Sequence, residues 1–191
     1  MKFFLKLGLI LLVFCIIATA LLAYVNSITK PKIDALKIKE AEEARNKLIP
    51  GAAFESRTIS IPDADSIVYY VATDEKTKEL KGYTFTAAKA GYSSTVKTMA
   101  AASPDFKLID IQVIEQAETP GLGANCVKPE FAAKFRDKTP AELKVDKDGG
   151  KIASMTGATI TTRAVTNSLK EMIGVIKKDV ESRPAQAEVT P

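Results

Sequence analysis

The run IVYYVATDEKTKELKGYTFTAA, from Ile67 to Ala88, decides the fold class. Ile67–Thr73 and Leu80–Ala88 are rich in β-branched and aromatic residues, and the polar stretch Asp74-Glu75-Lys76-Thr77-Lys78 between them has turn composition. Phe54–Ile61 has the same character just upstream, so the three runs read as an antiparallel meander. Toward the C-terminus, the pattern predicts a short helix at Thr95–Ala102, started by Gly91-Tyr92-Ser93-Ser94. A long strand follows at Phe106–Glu115, with Ile109, Ile111 and Val113 alternating onto one face. Next come a Gly-containing loop at Glu118–Asn125, a helix at Pro129–Phe135 and a small hairpin turning at Asp148-Gly149-Gly150. Val165, Leu169, Met172 and Ile176 then repeat at helical spacing, which predicts an amphipathic final helix with Thr161 or Thr162 as its N-cap. Strands grouped together and followed by helices make an α+β class with a largely antiparallel sheet, and the sequence holds no internal repeat.

Toward the N-terminus, Ile33, Leu36, Ala41, Ala44 and Leu48 share one helical face until Pro50 stops the run, and Thr29 with Pro31 reads as the start of that helix. Before it, Leu7–Val25 runs 19 residues without a charge, enough at ~1.5 Å per residue to cross a ~30 Å hydrocarbon layer once. A cleaved signal peptide is the rival reading, given the basic Lys2 and Lys6 and the small residues of Ala18-Thr19-Ala20. Apolar residues continue past that site through Leu21, Leu22 and Val25, which favours an uncleaved anchor. The basic leader places the N-terminus inside and the following domain on the extracytoplasmic side. The expected divisions are an anchor at 1–28, a connecting helix at 29–50, a soluble domain at 51–181 and a disordered tail at 182–191.

Composition narrows the chemistry. The 191 residues carry 27 Lys and Arg against 23 Asp and Glu, spread along the chain, so no basic stripe marks a nucleic-acid partner. With no His and only Cys15 and Cys126, the chain cannot build a His/Cys zinc site or a four-Cys cluster, and it has no imidazole base. Redox chemistry here needs an organic cofactor or a partner, and Cys126 is expected to be packed rather than reactive.

Two segments invite a ligand. Ser154-Met155-Thr156-Gly157-Ala158-Thr159-Ile160-Thr161-Thr162 sets five hydroxyls around a Gly-Ala step before the final helix, where backbone N–H groups and the helix dipole favour an anion such as phosphate. The same residues can also be read as a cap alone. Glu118-Thr119-Pro120-Gly121-Leu122-Gly123 joins a fixed Pro to two Gly that allow close approach of the main chain to a flat ligand, or forms an ordinary tight loop. Gly91-Tyr92-Ser93-Ser94 is a cap or a pocket wall.

Taken in order, these motifs resemble a family: the membrane-anchored, FMN-binding G subunits of Rnf ion-translocating electron transport complexes, related to the C subunits of sodium-pumping NADH:quinone reductases. The resemblance also includes Thr29-x-Pro31-x-Ile33 and Leu48-Ile49-Pro50, and it spans nearly the whole chain. It implies that Thr159, the last residue of Thr156-Gly157-Ala158-Thr159, is esterified to the FMN phosphate by a separate flavin transferase, as an attachment point and not a catalyst. It further implies that Thr156, Gly157, Ala158, Ile160, Thr161 and Thr162 surround the phosphate and ribityl chain. Glu118, Thr119, Pro120, Gly121, Leu122 and Gly123 would border the ring, with Tyr92 and Ser93 as a wall. Many members carry Asp six residues before the acceptor, and Ala153 stands there instead.

On this resemblance the chain is an electron-carrying member of a redox-driven, ion-translocating ferredoxin:NAD oxidoreductase in a bacterial or archaeal cytoplasmic membrane. Its expected partners are the other membrane and redox subunits, the transferase and membrane lipid. Two alternatives stand beside it: a stand-alone extracytoplasmic flavoprotein, and a non-enzymatic anchored binding domain in which the Thr-rich turn is only a cap.

Overall fold

The computed structural model describes residues 2–60 and 66–182. It divides into two compact units, residues 1–40 and 41–191. The first unit is the greater part of helix α1, Lys2–Leu48, whose apolar side chains from Phe3 to Ile38 are exposed all around it. Among the described residues this one helix is long and apolar enough to cross a membrane. The expected helix start at Thr29 is corrected, because α1 continues through Pro31. Proline has no N–H to give the carbonyl four residues back, and the hydroxyls nearby act as extra donors to the helix instead of capping a new one. Ser27 Oγ donates to the Tyr24 carbonyl at 2.8 Å and Thr29 Oγ1 to the Val25 carbonyl at 2.7 Å.

In the second unit, five strands lie in sequence order in one antiparallel sheet: β1 Ala52–Ile59, β2 Ile67–Asp74, β3 Leu80–Ala90, β4 Thr95–Ala102 and β5 Leu108–Glu115. The expected meander is therefore present; Ile61, the last residue of the expected first strand, lies outside the described residues. Thr95–Ala102 is a strand and not a helix. Its Ala-rich end has helical propensity, but β4 is hydrogen-bonded on both sides and buried on both faces, and tertiary packing outweighs preferences of under ~1 kcal/mol per residue. Gly91-Tyr92-Ser93-Ser94 correspondingly forms the tight turn between β3 and β4, closed by Gly91 N–H to the Ser94 carbonyl at 2.7 Å.

One face of the sheet carries Tyr69, Val71, Tyr83, Phe85, Ala87, Val96, Ala100 and Leu108 beneath helix α3, Thr159–Ser182, which contributes Val165, Leu169, Ile173 and Ile176 to the main core. Met172 packs at its margin. The opposite face carries Ala72, Met99 and Ala101 against Ala44, Leu48 and Ile49 at the end of α1. Small side chains on β4 let a helix approach on either side. Ile109 leaves the expected face: an irregularity opposite Ala101 and Ala102 pairs those residues with Asp110 and Leu108, so Leu108 enters the core and Ile109 is exposed.

Between β5 and α3 lie a 3-10 turn at Gly123–Val127, the short helix α2 at Pro129–Ala132 and a second 3-10 turn at Ala133–Phe135. The expected hairpin at Asp148-Gly149-Gly150 is also corrected. Val145 and Ile152 pair in parallel, and the chain returns by a 3-10 turn and a left-handed Gly149, because Ile152 exchanges backbone bonds with Lys144 and Asp146. Arg163 on α3 grips Asp148 through two bonds of 2.8 and 2.7 Å, which fixes this loop beside the start of the helix. Ser182 is the last described residue of α3, and the remainder of the expected tail lies outside the described residues.

Gly82 marks where β2 and β3 shift register. Its φ is +152°, and a Cβ there would stand 2.2 Å from the Ala102 carbonyl oxygen. Gly82→Ala is expected to destabilise the chain by roughly 2–4 kcal/mol, read as a lowered midpoint in denaturant titrations followed by Tyr fluorescence.

Candidate functional site

A cleft of about 440 Å³ opens where three turns meet at the start of α3. Tyr92 comes from the β3–β4 turn, Glu118, Thr119, Leu122 and Gly123 from the loop after β5, and Gly157, Ala158, Thr159, Ile160 and Thr161 from the turn into α3. Glu118 joins all three. Its Oε1 accepts from the N–H groups of Ser93 and Ser94 at 3.0 and 2.9 Å and from Ser94 Oγ at 3.1 Å. Its Oε2 accepts from the N–H of Tyr92 at 3.1 Å and from Thr161 Oγ1 at 2.7 Å. Burial alone would push this carboxyl up, but the Thr161 hydroxyl and the three backbone donors outweigh it and hold the group down at about 2.

Two glycines of these turns, Gly91 and Gly123, are close-packed against that carboxylate, whereas Gly121 has open space around it. A Cβ on Gly91 would lie 2.7 Å from Glu118 Oε1, and one on Gly123 would lie 2.7 Å from both Glu118 Oε2 and Thr161 Oγ1. At Gly157, φ is +71° and a Cβ would meet Leu122 Cδ2 at 2.9 Å. These positions therefore favour glycine for reasons of space and backbone, as close approach of loops requires.

Thr159 is the first residue of α3 and is half-buried in the cleft. The first N–H groups of a helix have no acceptor within it, so those of Thr159, Ile160 and Thr161 are open donors at the cleft that could hold an anion. The expected N-cap role of Thr161 and Thr162 is corrected, since α3 begins two residues earlier and both threonines are buried in its first turn. Thr162 does not face the cleft. Its Oγ1 donates to the Ala158 carbonyl at 3.0 Å and accepts from Met155 N–H at 3.1 Å, which ties down the turn leading into the helix.

The structure thus gathers ten of the fifteen expected site residues around one cleft. Thr156, Pro120, Gly121 and Ser93 are exposed beside it, with Ser93 Oγ 3.4 Å from Thr119 Oγ1. Sequence reasoning misses Asp146, whose Oδ1 accepts from Ser154 N–H at 3.1 Å and from the Ser154 hydroxyl, bracing the start of the turn. No local pattern links residues eight apart across a 3-10 turn. At Ala153, where the expected Asp is missing, the backbone carbonyl accepts from Lys134 Nζ at 2.9 Å.

Residues 91–174, which include every wall of the cleft, match the FMN-binding domain family, and residues 1–48 match the RnfG N-terminal region. The chain is 33% identical over 165 residues to the G subunit of the ion-translocating oxidoreductase complex of Methanosarcina acetivorans, across 84% of this chain and 87% of that protein. The chain belongs to the G-subunit family of ion-translocating oxidoreductase complexes. Another member of this G-subunit family, from the proton-translocating ferredoxin:NAD(+) oxidoreductase complex of Clostridium ljungdahlii, is 33% identical over 83% of this chain and 84% of the other. Two solved structures share the fold. NqrC of Shewanella oneidensis superposes with a TM-score of 0.54 at 20% identity, covering 67% of this chain and 70% of that one. The C subunit of the Na(+)-translocating NADH-quinone reductase from Parabacteroides distasonis also scores 0.54, at 22% identity over 73% and 82%.

Proposed function

We propose that this chain is the electron-relaying G subunit of a membrane-bound, ion-translocating ferredoxin:NAD oxidoreductase, and that it carries FMN esterified through its phosphate to Thr159 Oγ1. The observation that supports it most directly is the position of Thr159: a hydroxyl on the first residue of a 24-residue helix, in a cleft, beside the open N–H groups of that helix. The cleft volume suits a cofactor of this size.

The bound flavin supplies the electron-accepting ring; the chain supplies position and field. The N–H groups of Thr159, Ile160 and Thr161 hold phosphate oxygens, and the helix dipole favours their charge. Tyr92, Leu122 and Ile160, all exposed at the cleft, offer apolar surface to a flat ring, while Gly157 lets the main chain come close. An ester bond keeps the cofactor on an exposed domain. Pro120, Gly121, Ser93 and Thr156 shape the turns from outside.

Helix α1 anchors the chain in lipid, with Lys2 and Lys6 inside and the domain on the extracytoplasmic face. Maturation requires a flavin transferase, and function requires the other membrane and redox subunits. The test is the intact mass of the chain purified from its own membrane. A gain of one FMN phosphoester, mapped to the Thr159 peptide and fluorescent in a denaturing gel, is expected. An unshifted mass and a dark band would reject covalent attachment.

A further inference from the structure

We propose that the Glu118 carboxylate lowers the midpoint potential of a flavin held in the cleft, an inference that rests on the flavin-carrier reading above. Three observations carry it. Glu118 is only 5% exposed yet lines the cleft, so its charge acts with little water between it and the contents. A cleft of 440 Å³ is about 8 Å across if cubic, which puts any ring inside it within range of an incompletely screened charge.

Among the described residues the carboxylate is also held without a cation. Its five partners are the N–H groups of Tyr92, Ser93 and Ser94 and the hydroxyls of Ser94 and Thr161, all neutral donors. Dipoles of this kind keep the group ionised but leave its net charge in place, unlike an Arg or Lys partner. Its field is felt elsewhere in the domain: the buried Cys126 thiol is pushed up to about 11, first by burial and then by the Glu118 charge. Adding an electron to a flavin beside a fixed anion is opposed by the same repulsion.

Glu118→Gln tests this with little change of shape. Oε1 of Gln keeps the three bonds from Ser93 and Ser94, and its amide can donate to Thr161 Oγ1, so only Tyr92 N–H and the Thr161 hydroxyl lose their acceptor. The flavin-loaded full chain in detergent is titrated spectroelectrochemically at neutral pH. The expected result is a rise in potential that favours reduction by about tenfold per electron, or about 59 mV.

Ser94→Ala is the opposing variant, because it removes one donor from Oε1 and leaves the charge less compensated. Its potential is expected to fall, by about twofold in the same equilibrium. A role in loop shape alone predicts no such opposition of sign. A Glu118→Gln potential within twofold of wild type, or a shift of both variants in the same direction, overturns the inference. Should Glu118→Gln give no folded chain, Ser94→Ala decides: a potential at or above wild type overturns it. If the wild-type chain carries no flavin, the carrier reading fails first, and the two failures are distinguishable.

Discussion

Thr159→Val is expected to abolish flavin retention completely while leaving the fold in place. Valine nearly matches threonine in shape, so the cleft keeps its walls, but it has no oxygen to esterify. Among the described residues the Thr159 hydroxyl holds nothing in the fold; the turn into α3 is tied down instead by Thr162 to Ala158 and Met155, by Asp146 to Ser154 and by Arg163 to Asp148. A stability change of no more than about 1 kcal/mol follows, the range of an ordinary helix-terminal substitution. The measurement pairs a denaturing gel under ultraviolet light with a denaturant titration. A dark band at unchanged stability is the expected pair. Fluorescence that persists on the variant would move the attachment to another hydroxyl, and loss of both flavin and fold would make Thr159 a structural residue.

The cleft is legible from sequence to the extent that it is built from short contiguous motifs. Gly121 and Gly123 announce close approach, which Gly123 makes against Glu118 and Thr161 while Gly121 stands in open space, and the hydroxyls before an amphipathic helix announce an open helix end. What is not legible depends on partners distant in sequence. Thr161 resembles an N-cap because cap and first-turn threonines look alike locally, and only Glu118, 43 residues earlier, distinguishes them. Thr95–Ala102 resembles a helix because alanine favours one, and nothing in the run reveals that it is an interior strand of a sheet with helices on both faces. Pro31 resembles a helix start because proline removes only its own N–H, a loss the long α1 absorbs. Ile109 follows strict alternation until a shift in pairing opposite Ala101 and Ala102 moves it to the surface. Apart from Pro31, each departure arises where a pairing or packing partner overrides a local preference.

Glu118→Ala is expected to destabilise the chain far more than its glutamine counterpart, by about 3–5 kcal/mol. Truncation leaves three N–H groups and two hydroxyls of the site without their acceptor, and each buried donor so orphaned costs ~1–3 kcal/mol, less where water enters from the cleft. The effect is tied to acidity in a definite direction. A carboxyl whose value falls on folding, here from 4.5 to about 2, contributes stability that is fully present above 4.5 and is lost as the pH drops toward 2. Wild-type chain should therefore lose stability steeply across that window. Glu118→Ala should lose it less steeply, because the contribution is already gone at neutral pH. Some slope remains in the variant, since Glu142, held down to about 2 by its bonds to Lys151 and Thr139, titrates over the same range, although its exposed partner limits what that pair is worth. Denaturant midpoints measured at pH 7, 4.5 and 3 separate the outcomes. Parallel curves for wild type and Glu118→Ala would mean that the charge on Glu118 contributes nothing to the clasp of the three turns. Converging curves would identify the ionised form as the one that holds them.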